Sequence, residues 1–334
     1  LPSQIPFAGA AKLALKDLTD IDYINRIAGA YGIKLRTLHG DAAIMGSPER
    51  SLDRTVAEGT GQARYIVEEV APRESAKKRQ IARYQHLLKD LGVPHVHPPL
   101  KNQKGSILTT LGDRCFQIAP YIPGVELPRP DYVTDGWRGE ALADFLISFY
   151  GKTSGTGLFS GEGQPVRVFS LADYIRRLCM DIGQENPEIL DRVGPIVSCL
   201  EDRFMTIHDR VPWLFCHGDF HVMNVIWGDS SIRGVIDWEF CGPCPDVYDA
   251  ANLIGCIGIE DPNALSGQLV TSFLTKLTQS DLISKTGWEN LAEFIIALRF
   301  AWLAQWLRNK DREMIELELV YMKILVDNQA VLFR

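Results

Sequence analysis

The sequence predicts an α+β protein in two lobes, a small β-sheet-rich N-terminal lobe and a larger, mostly helical C-terminal lobe. Three observations carry this. Strand signals, short runs of β-branched and aromatic residues bounded by turn residues, fall almost entirely before residue 120. A stretch punctuated by proline, Pro120-Tyr121-Ile122-Pro123-Gly124, follows them. From Thr134 onward, apolar residues recur at helical spacing in one segment after another. The expected boundaries are therefore 1–119 for the first lobe, 120–124 for a hinge and 125–334 for the second lobe.

Within the first lobe, residues 18–31 place Leu18, Ile21, Ile24, Ile27 and Ala28 on one helix face, with Thr19 or Asp20 as cap and Gly32 as terminator. Strands are expected over 33–38, 52–58 and 63–70, the last two joined by the hairpin turn Gly59-Thr60-Gly61-Gln62. The first two are separated by a loop of mostly small residues, Gly46-Ser47-Pro48-Glu49-Arg50-Ser51. A helix over 73–91 carries Ile81, Tyr84, Leu88 and Leu91 on the face that packs, and Gly92-Val93-Pro94 stops it. His95-Val96-His97-Pro98-Pro99 is extended because proline disfavours helix in the residue before it. Its two histidines lack neighbouring cysteines or acids and read as loop residues rather than metal ligands. Two more strands, 106–110 and 115–119, flank the turn Gly112-Asp113.

The second lobe reads as helices over 134–150, 170–181 (capped by Ser170), 187–208, 246–256, 263–277, 288–307 and 311–331, with a Gly-, Ser- and Thr-rich surface loop at 151–166. A chain of 334 residues with 46% apolar content can bury a large core, and its formal charge of -7 lacks the basic face that nucleic-acid binding needs. No apolar run approaches a membrane span and the opening residues lack a signal-peptide pattern, so the expectation is a cytoplasmic protein with no membrane partner. Seven cysteines without disulfide-rich spacing agree with a reducing compartment. Cys241 and Cys244 have the spacing of a redox or zinc pair but no second pair, and read as incidental.

The chemistry concentrates in Cys216-His217-Gly218-Asp219-Phe220-His221-Val222-Met223-Asn224 and Val235-Ile236-Asp237-Trp238-Glu239. The first segment sets a carboxylate five residues before a carboxamide; the second puts another carboxylate at the end of a short apolar run. Moving a terminal phosphoryl group needs a carboxylate beside the acceptor hydroxyl and oxygen ligands that hold Mg²⁺ against a polyphosphate. Asp219 suits the base, fixed on a tight loop by His217 and Gly218. Asn224 offers a neutral metal ligand beside it and Asp237 an anionic one.

His-Gly-Asp-x-His-x-x-Asn followed by Ile-Asp-Trp-Glu resembles the aminoglycoside phosphotransferase and choline kinase family of small-molecule kinases. The resemblance implies a bilobal protein-kinase-like fold, the cofactors ATP and Mg²⁺, and transfer to a small-molecule hydroxyl. It gives Asp249 a loop-supporting role; His217 and His221 read as loop supports rather than metal ligands, because Mg²⁺ prefers oxygen. It places Ser47, Arg50 and Ser51 over the nucleotide phosphates, and backbone groups of Ala119 and Tyr121 at the adenine edge. Glu239, Arg299, Trp302 and Trp306 are acceptor-side candidates, an aromatic wall that would suit an amino alcohol by cation–π contact. Hydroxy amino acids, sugars and aminoglycosides are the other acceptor classes. Only 238–248 separates Asp237 from the next helix, too short for a peptide-docking segment.

The chain departs from the family at Tyr65-Ile66-Val67-Glu68-Glu69, where a glutamate stands in place of a phosphate-contacting lysine. The middle of the following helix offers Lys77, Lys78, Arg79, Gln80, Arg83 and Gln85 where a glutamate is expected, with Glu74 only at its start. Three readings follow: an ion pair of swapped polarity in which one helix cation also reaches a phosphate, phosphate binding mostly by Mg²⁺ and loop amides, or weakened ATP binding; a different strand register, or solvated Glu68 and Glu69, is the plain alternative. Weakened ATP binding leads to the alternative of a pseudokinase-type binding or regulatory module. A thiol or zinc protein using Cys241 and Cys244 is remoter.

Overall fold

The computed structural model describes residues 18–44, 51–156, 169–201 and 203–332. The chain divides into two compact units, the first formed by 1–79 with 98–121 and the second by 80–97 with 122–334. No helix among the described residues is long and apolar enough to cross a membrane.

The first unit is a five-stranded antiparallel sheet. Its strands are β1 (Leu35–Leu38), β2 (Ser51–Gly59), β3 (Arg64–Val70), β4 (Thr109–Leu111) and β5 (Arg114–Pro120), in the order β1-β2-β3-β5-β4. Helix α1 (Ile21–Gly29) starts where the Asp20 carboxylate accepts the N–H groups of Asp22 and Tyr23 at 2.9 and 3.3 Å, which settles the cap in favour of Asp20. Its buried Tyr23, Ile24, Ile27 and Ala28 pack with Leu35, Ala57, Val67, Phe116 and Ile118 of the sheet. Strand side chains alternate between faces, so this core commits Val67 and Glu69 to the α1 side and puts Ile66 and Glu68 on the other. Helix α2 (Ser75–Asp90) begins in this unit and its later turns belong to the second.

The second unit is built on α3 (Gly136–Thr153), α4 (Leu171–Glu185), α5 (Pro187–Glu201), α6 (Phe204–Ile207), α7 (Tyr248–Gly258), α8 (Gln268–Thr278), α9 (Lys285–Glu289), α10 (Leu291–Asn309) and α11 (Arg312–Leu332). Ser170 caps α4 through the N–H of Asp173, as the sequence leads one to expect. Helices α3 and α8 cross so closely that a Cβ on Gly139 would stand 2.0 Å from the Leu269 carbonyl oxygen. The continuous helix expected over 187–208 is instead α5, α6 and a further short turn, and the helix expected over 288–307 is preceded by the separate turn α9.

Two small ribbons flank the loops that carry Asp219, Asn224 and Asp237. Strand β6 (Trp213–Cys216) pairs with β9 (Gly242–Pro245), and β7 (Val225–Trp227) pairs with β8 (Ile232–Val235). The first ribbon has no clear signal in the sequence, since Pro243 and Pro245 argue against a strand and the partner lies far along the chain. Beneath the ribbons, Phe145 stacks on Phe220 at 5.5 Å and Phe149 meets Trp238 edge-on at 5.4 Å. Each such buried aromatic contributes about 1.5–3 kcal/mol, against about 1 kcal/mol for a typical hydrogen bond, so packing holds the loop's backbone and hydrogen bonds set its detail.

Candidate active site

Residues 217–224 leave β6 as a tight loop and return as β7. Gly218 makes the turn possible: its φ is +79°, and a Cβ there would lie 2.3 Å from the Phe240 carbonyl oxygen. Asp249, at the start of α7 and fully buried, ties the loop down. Its carboxylate accepts the N–H of His217 at 2.7 Å, the N–H of Gly218 at 2.9 Å and the Tyr150 hydroxyl at 3.1 Å. Burial pushes the Asp249 carboxyl above the usual carboxylate value despite these donors and the nearby His217.

His217 uses both ring nitrogens. Nε2 donates to the Ile236 carbonyl at 2.9 Å, and Nδ1 accepts the Asp219 N–H at 3.3 Å, a pattern available only to the neutral ring. Burial lowers its pKa accordingly, outweighing the pull of Asp249 and Asp219. The ring also packs on Trp238, with centroids 4.6 Å apart.

Asp219 is the carboxylate these contacts present, its side chain 24% exposed among largely buried neighbours. Asn224 donates from Nδ2 to the Asp219 carbonyl at 2.9 Å and to its Oδ2 at 3.1 Å. Asn252 approaches Oδ1 at 3.5 Å while donating to the Phe220 carbonyl at 3.2 Å. His221 Nε2 lies 3.7 Å from Oδ2. Burial works against the charged form, but His221, His217 and Asn224 outweigh it and hold the Asp219 carboxyl below the usual carboxylate value. The group is a fixed, ionised acceptor.

Because the Asn224 amide nitrogen faces Asp219, its side-chain oxygen is directed elsewhere. Asp237 follows Ile236, whose N–H donates to the Asn224 carbonyl at 2.9 Å, so the ribbon brings the two residues together. Asp237 is left-handed, φ 61° and ψ 51°, a conformation uncommon outside glycine and frequent where a side chain must be aimed. Among the described residues no group of three or more His, Cys, Asp or Glu could hold a metal ion. Two side-chain oxygens nevertheless suit Mg²⁺, which typically takes one or two protein oxygens and completes its shell with phosphate and water.

The remaining candidates fall in several places. Trp302 meets the His221 ring at 6.0 Å and Trp306 at 5.8 Å, so the two half-buried tryptophans continue from the Asp219 loop. Arg299 is 2% exposed and grips Glu318 with two bonds of 2.6 and 2.7 Å, its guanidinium held inside the helix pair. Trp306 donates to the same carboxylate at 3.3 Å. Glu239 is half-buried on the turn after Asp237.

In the first unit, Ser51 gives its hydroxyl to Glu68 at 2.7 Å, whereas Ser47 and Arg50 lie outside the described residues. The Tyr121 N–H is taken by the Arg64 carbonyl at 2.9 Å. Alternation along β5 then turns the backbone of Ala119 toward β3 as well, opposite Ile66. The expectation that these two residues offer backbone groups to adenine therefore changes: the carbonyl facing the other way is that of Pro120. Glu68 pairs with Lys78 at 3.0 Å and Glu69 with Arg114, which selects Lys78 among the helix cations for the swapped pair.

Two residues of the site escape motif reading. Asn252 lies one helical turn after Asp249, a spacing that puts both on one face and that the sequence does display. Tyr150, in the last turn of α3, has no local signal at all.

The profile of the phosphotransferase enzyme family matches residues 48–294, and the chain belongs to that family. No curated protein matches it in sequence. Among solved structures, it is similar to an aminoglycoside phosphotransferase from Alicyclobacillus acidocaldarius, with 15% identity, TM-score 0.62 and coverage of 99% of this chain and 96% of that one. The amicoumacin kinase hAmiN in complex with AMP-PNP, Ca²⁺ and Ami matches at 14% identity and TM-score 0.64, over 92% of this chain and 94% of that one. A spectinomycin phosphotransferase in complex with ADP and spectinomycin matches at 15% identity and TM-score 0.59, over 93% and 97%. At these identities the likeness is one of fold: a kinase-like phosphotransferase architecture with a sheet-rich first unit and a helical second.

Proposed function

We propose that this phosphotransferase moves the γ-phosphoryl group of ATP to a hydroxyl of a small molecule, with Asp219 as base. The observation that carries the reading is the Asp219 carboxylate, ionised, partly exposed and held by Asn224, Asn252 and His221. Bound Mg·ATP would supply the phosphoryl group and neutralise the charge that develops on it. Asp219 accepts the hydrogen bond of the acceptor hydroxyl, aims its oxygen, and takes its proton as the new O–P bond forms and the bond to the leaving diphosphate breaks. Asn224 and Asp237 hold the metal, the one without adding negative charge beside Asp219. His217, Asp249 and Tyr150 keep the loop in place.

The Pro120 carbonyl and the side chains of Val56, Ile66 and Ala119 receive the base. His221, Trp302 and Trp306 form the acceptor wall, whose aromatic faces favour a cationic acceptor such as an amino alcohol or an aminoglycoside. Arg299 acts through Glu318 and Trp306 rather than by touching the acceptor.

The test is a screen of amino alcohols, hydroxy amino acids, sugars and aminoglycosides for ATP consumption with a phosphorylated product, repeated with Asp219→Asn. Loss of a base and its aiming contact is expected to lower turnover about 10²–10⁴-fold while MgATP still binds. Full turnover by the variant would remove Asp219 from its role. ATP binding without transfer to any acceptor would favour a binding module.

A further inference from the structure

The first unit carries an arrangement of charge that the base, metal and acceptor assignments leave unused. On the sheet face opposite α1, two rows cross the same three strands. One is apolar, with Val56 beside Ile66 and Ile66 beside Ala119; the next, about 7 Å along the strands, is Arg54, Glu68 and Gln117. An apolar row beside a charged one at this separation matches the two ends of a nucleotide, its base and its phosphates. Among the described residues the opposite face offers no such site, because Glu69 and Arg114 there are engaged with each other and Arg114 also with Tyr23 and Phe116 of the α1 core.

Glu68 is 8% exposed and fully committed. It accepts from Ser51 Oγ at 2.7 Å, from Gln117 Nε2 at 2.6 Å and from Lys78 Nζ at 3.0 Å. Those bonds pin Lys78, reaching in from the first turn of α2, onto the charged row and also anchor the start of β2. Arg54 stands directly opposite Glu68 on β2, where side chains of paired residues come within about 5 Å at Cβ. Among the described residues its guanidinium makes no hydrogen bond or ion pair. One carboxylate flanked by two cations leaves the row net positive, which a lone glutamate in this position would not.

Resting on the nucleotide-dependent reading above, we propose that Arg54 and Lys78 are the cations that bind the nucleotide's phosphates, with Glu68 positioning Lys78. The cation that a strand lysine would provide is thus supplied from the neighbouring strand and from the helix. A buried ion pair contributes little net stability, so its retention is better explained by holding a charge in place for a ligand.

The experiment measures binding of ATP, ADP and adenosine to the full chain in Mg²⁺ by calorimetry, together with the unfolding midpoint. The variants are Arg54→Met and the double Lys78→Met/Glu68→Gln, which leaves no unpaired buried charge. Each is expected to weaken ATP and ADP about 10–100-fold, the worth of a charge-assisted bond, and to leave adenosine within about twofold. The exchange Lys78→Glu/Glu68→Lys, which keeps the pair and moves the cation to the strand, is expected to retain ATP binding. ATP affinity unchanged in both Arg54→Met and the double variant would overturn the proposal while leaving the kinase reading intact. An equal loss for adenosine would mean a distorted site and overturn it too. Failure of the unaltered chain to bind ATP would overturn both.

Discussion

His217 shows how a single side chain can write a pH dependence into a loop. Burial holds its folded pKa below the ordinary imidazole value of about 6.5. Above that value neither the folded nor the unfolded chain carries the proton, and the contribution of the neutral ring is complete. As pH falls below it, the unfolded chain takes up a proton that the folded loop refuses, and stability drains away until the lowered folded pKa is reached. The expected outcome is that the unfolding midpoint of the unaltered chain falls more steeply between pH 7 and pH 5 than that of His217→Gln, measured by thermal denaturation in both. Asp249, whose raised pKa contributes with the opposite sign, is present in both chains, so the difference between the curves reads His217 together with its coupling to Asp249. Parallel curves would show that His217 titrates normally. At this scale the sequence is informative about identity and mute about state. His-Gly-Asp-x-His-x-x-Asn names Asp219 and Asn224, whereas the neutrality of His217 follows from its burial beneath residues that arrive from elsewhere in the chain, Trp238 among them.

At the scale of elements, α10 and α11 are clamped by Arg299 and Glu318, with Trp306 on the same carboxylate. Both ions are almost completely buried, so removing one leaves the other unpaired. Arg299→Met is expected to destabilise the chain by about 3–5 kcal/mol, while Arg299→Met with Glu318→Leu recovers much of that loss; denaturant unfolding of the two variants checks it. Equal losses would mean that packing, not the stranded charge, sets the cost. The individual helices are legible because amphipathic spacing and caps are local, as in α1 with Asp20 and α4 with Ser170. The pair itself is not, because Arg299 reads equally well as a ligand for an acceptor until α11 is seen to bring Glu318 to it. The ribbon of β6 and β9 is hidden for a related reason: its prolines speak against a strand, and the pairing that overrides them is made between segments 26 residues or more apart in sequence.

On the proposed reading, the molecule divides its labour between the first unit, which would bind the nucleotide, and the second, which carries Asp219 and Asp237. If Asn224 and Asp237 join the two functions through a metal, ATP should raise the unfolding midpoint in Mg²⁺ and much less in EDTA. Saturation at about a hundred times Kd corresponds to about 2.7 kcal/mol of added stability. Asp237→Asn is expected to shrink the Mg²⁺-dependent part of the shift. A rise that ignores EDTA would separate nucleotide binding from the metal.

The sequence by itself determined the two-part α+β architecture, the family, and the two short segments that hold the carboxylates, because strand alternation, helical spacing, caps and motifs are all encoded within a few neighbouring residues. Tertiary structure alone decided which partners those residues receive. Asn252 joins Asp219 from α7, Tyr150 braces Asp249 from the end of α3, the ladder with β3 turns the hinge's N–H away and leaves the Pro120 carbonyl, and Lys78 meets Glu68 where the family pattern leads one to expect the reverse. A charge takes its role from the groups that surround it in space, and those are brought together by the burial of apolar surface between elements distant in the chain.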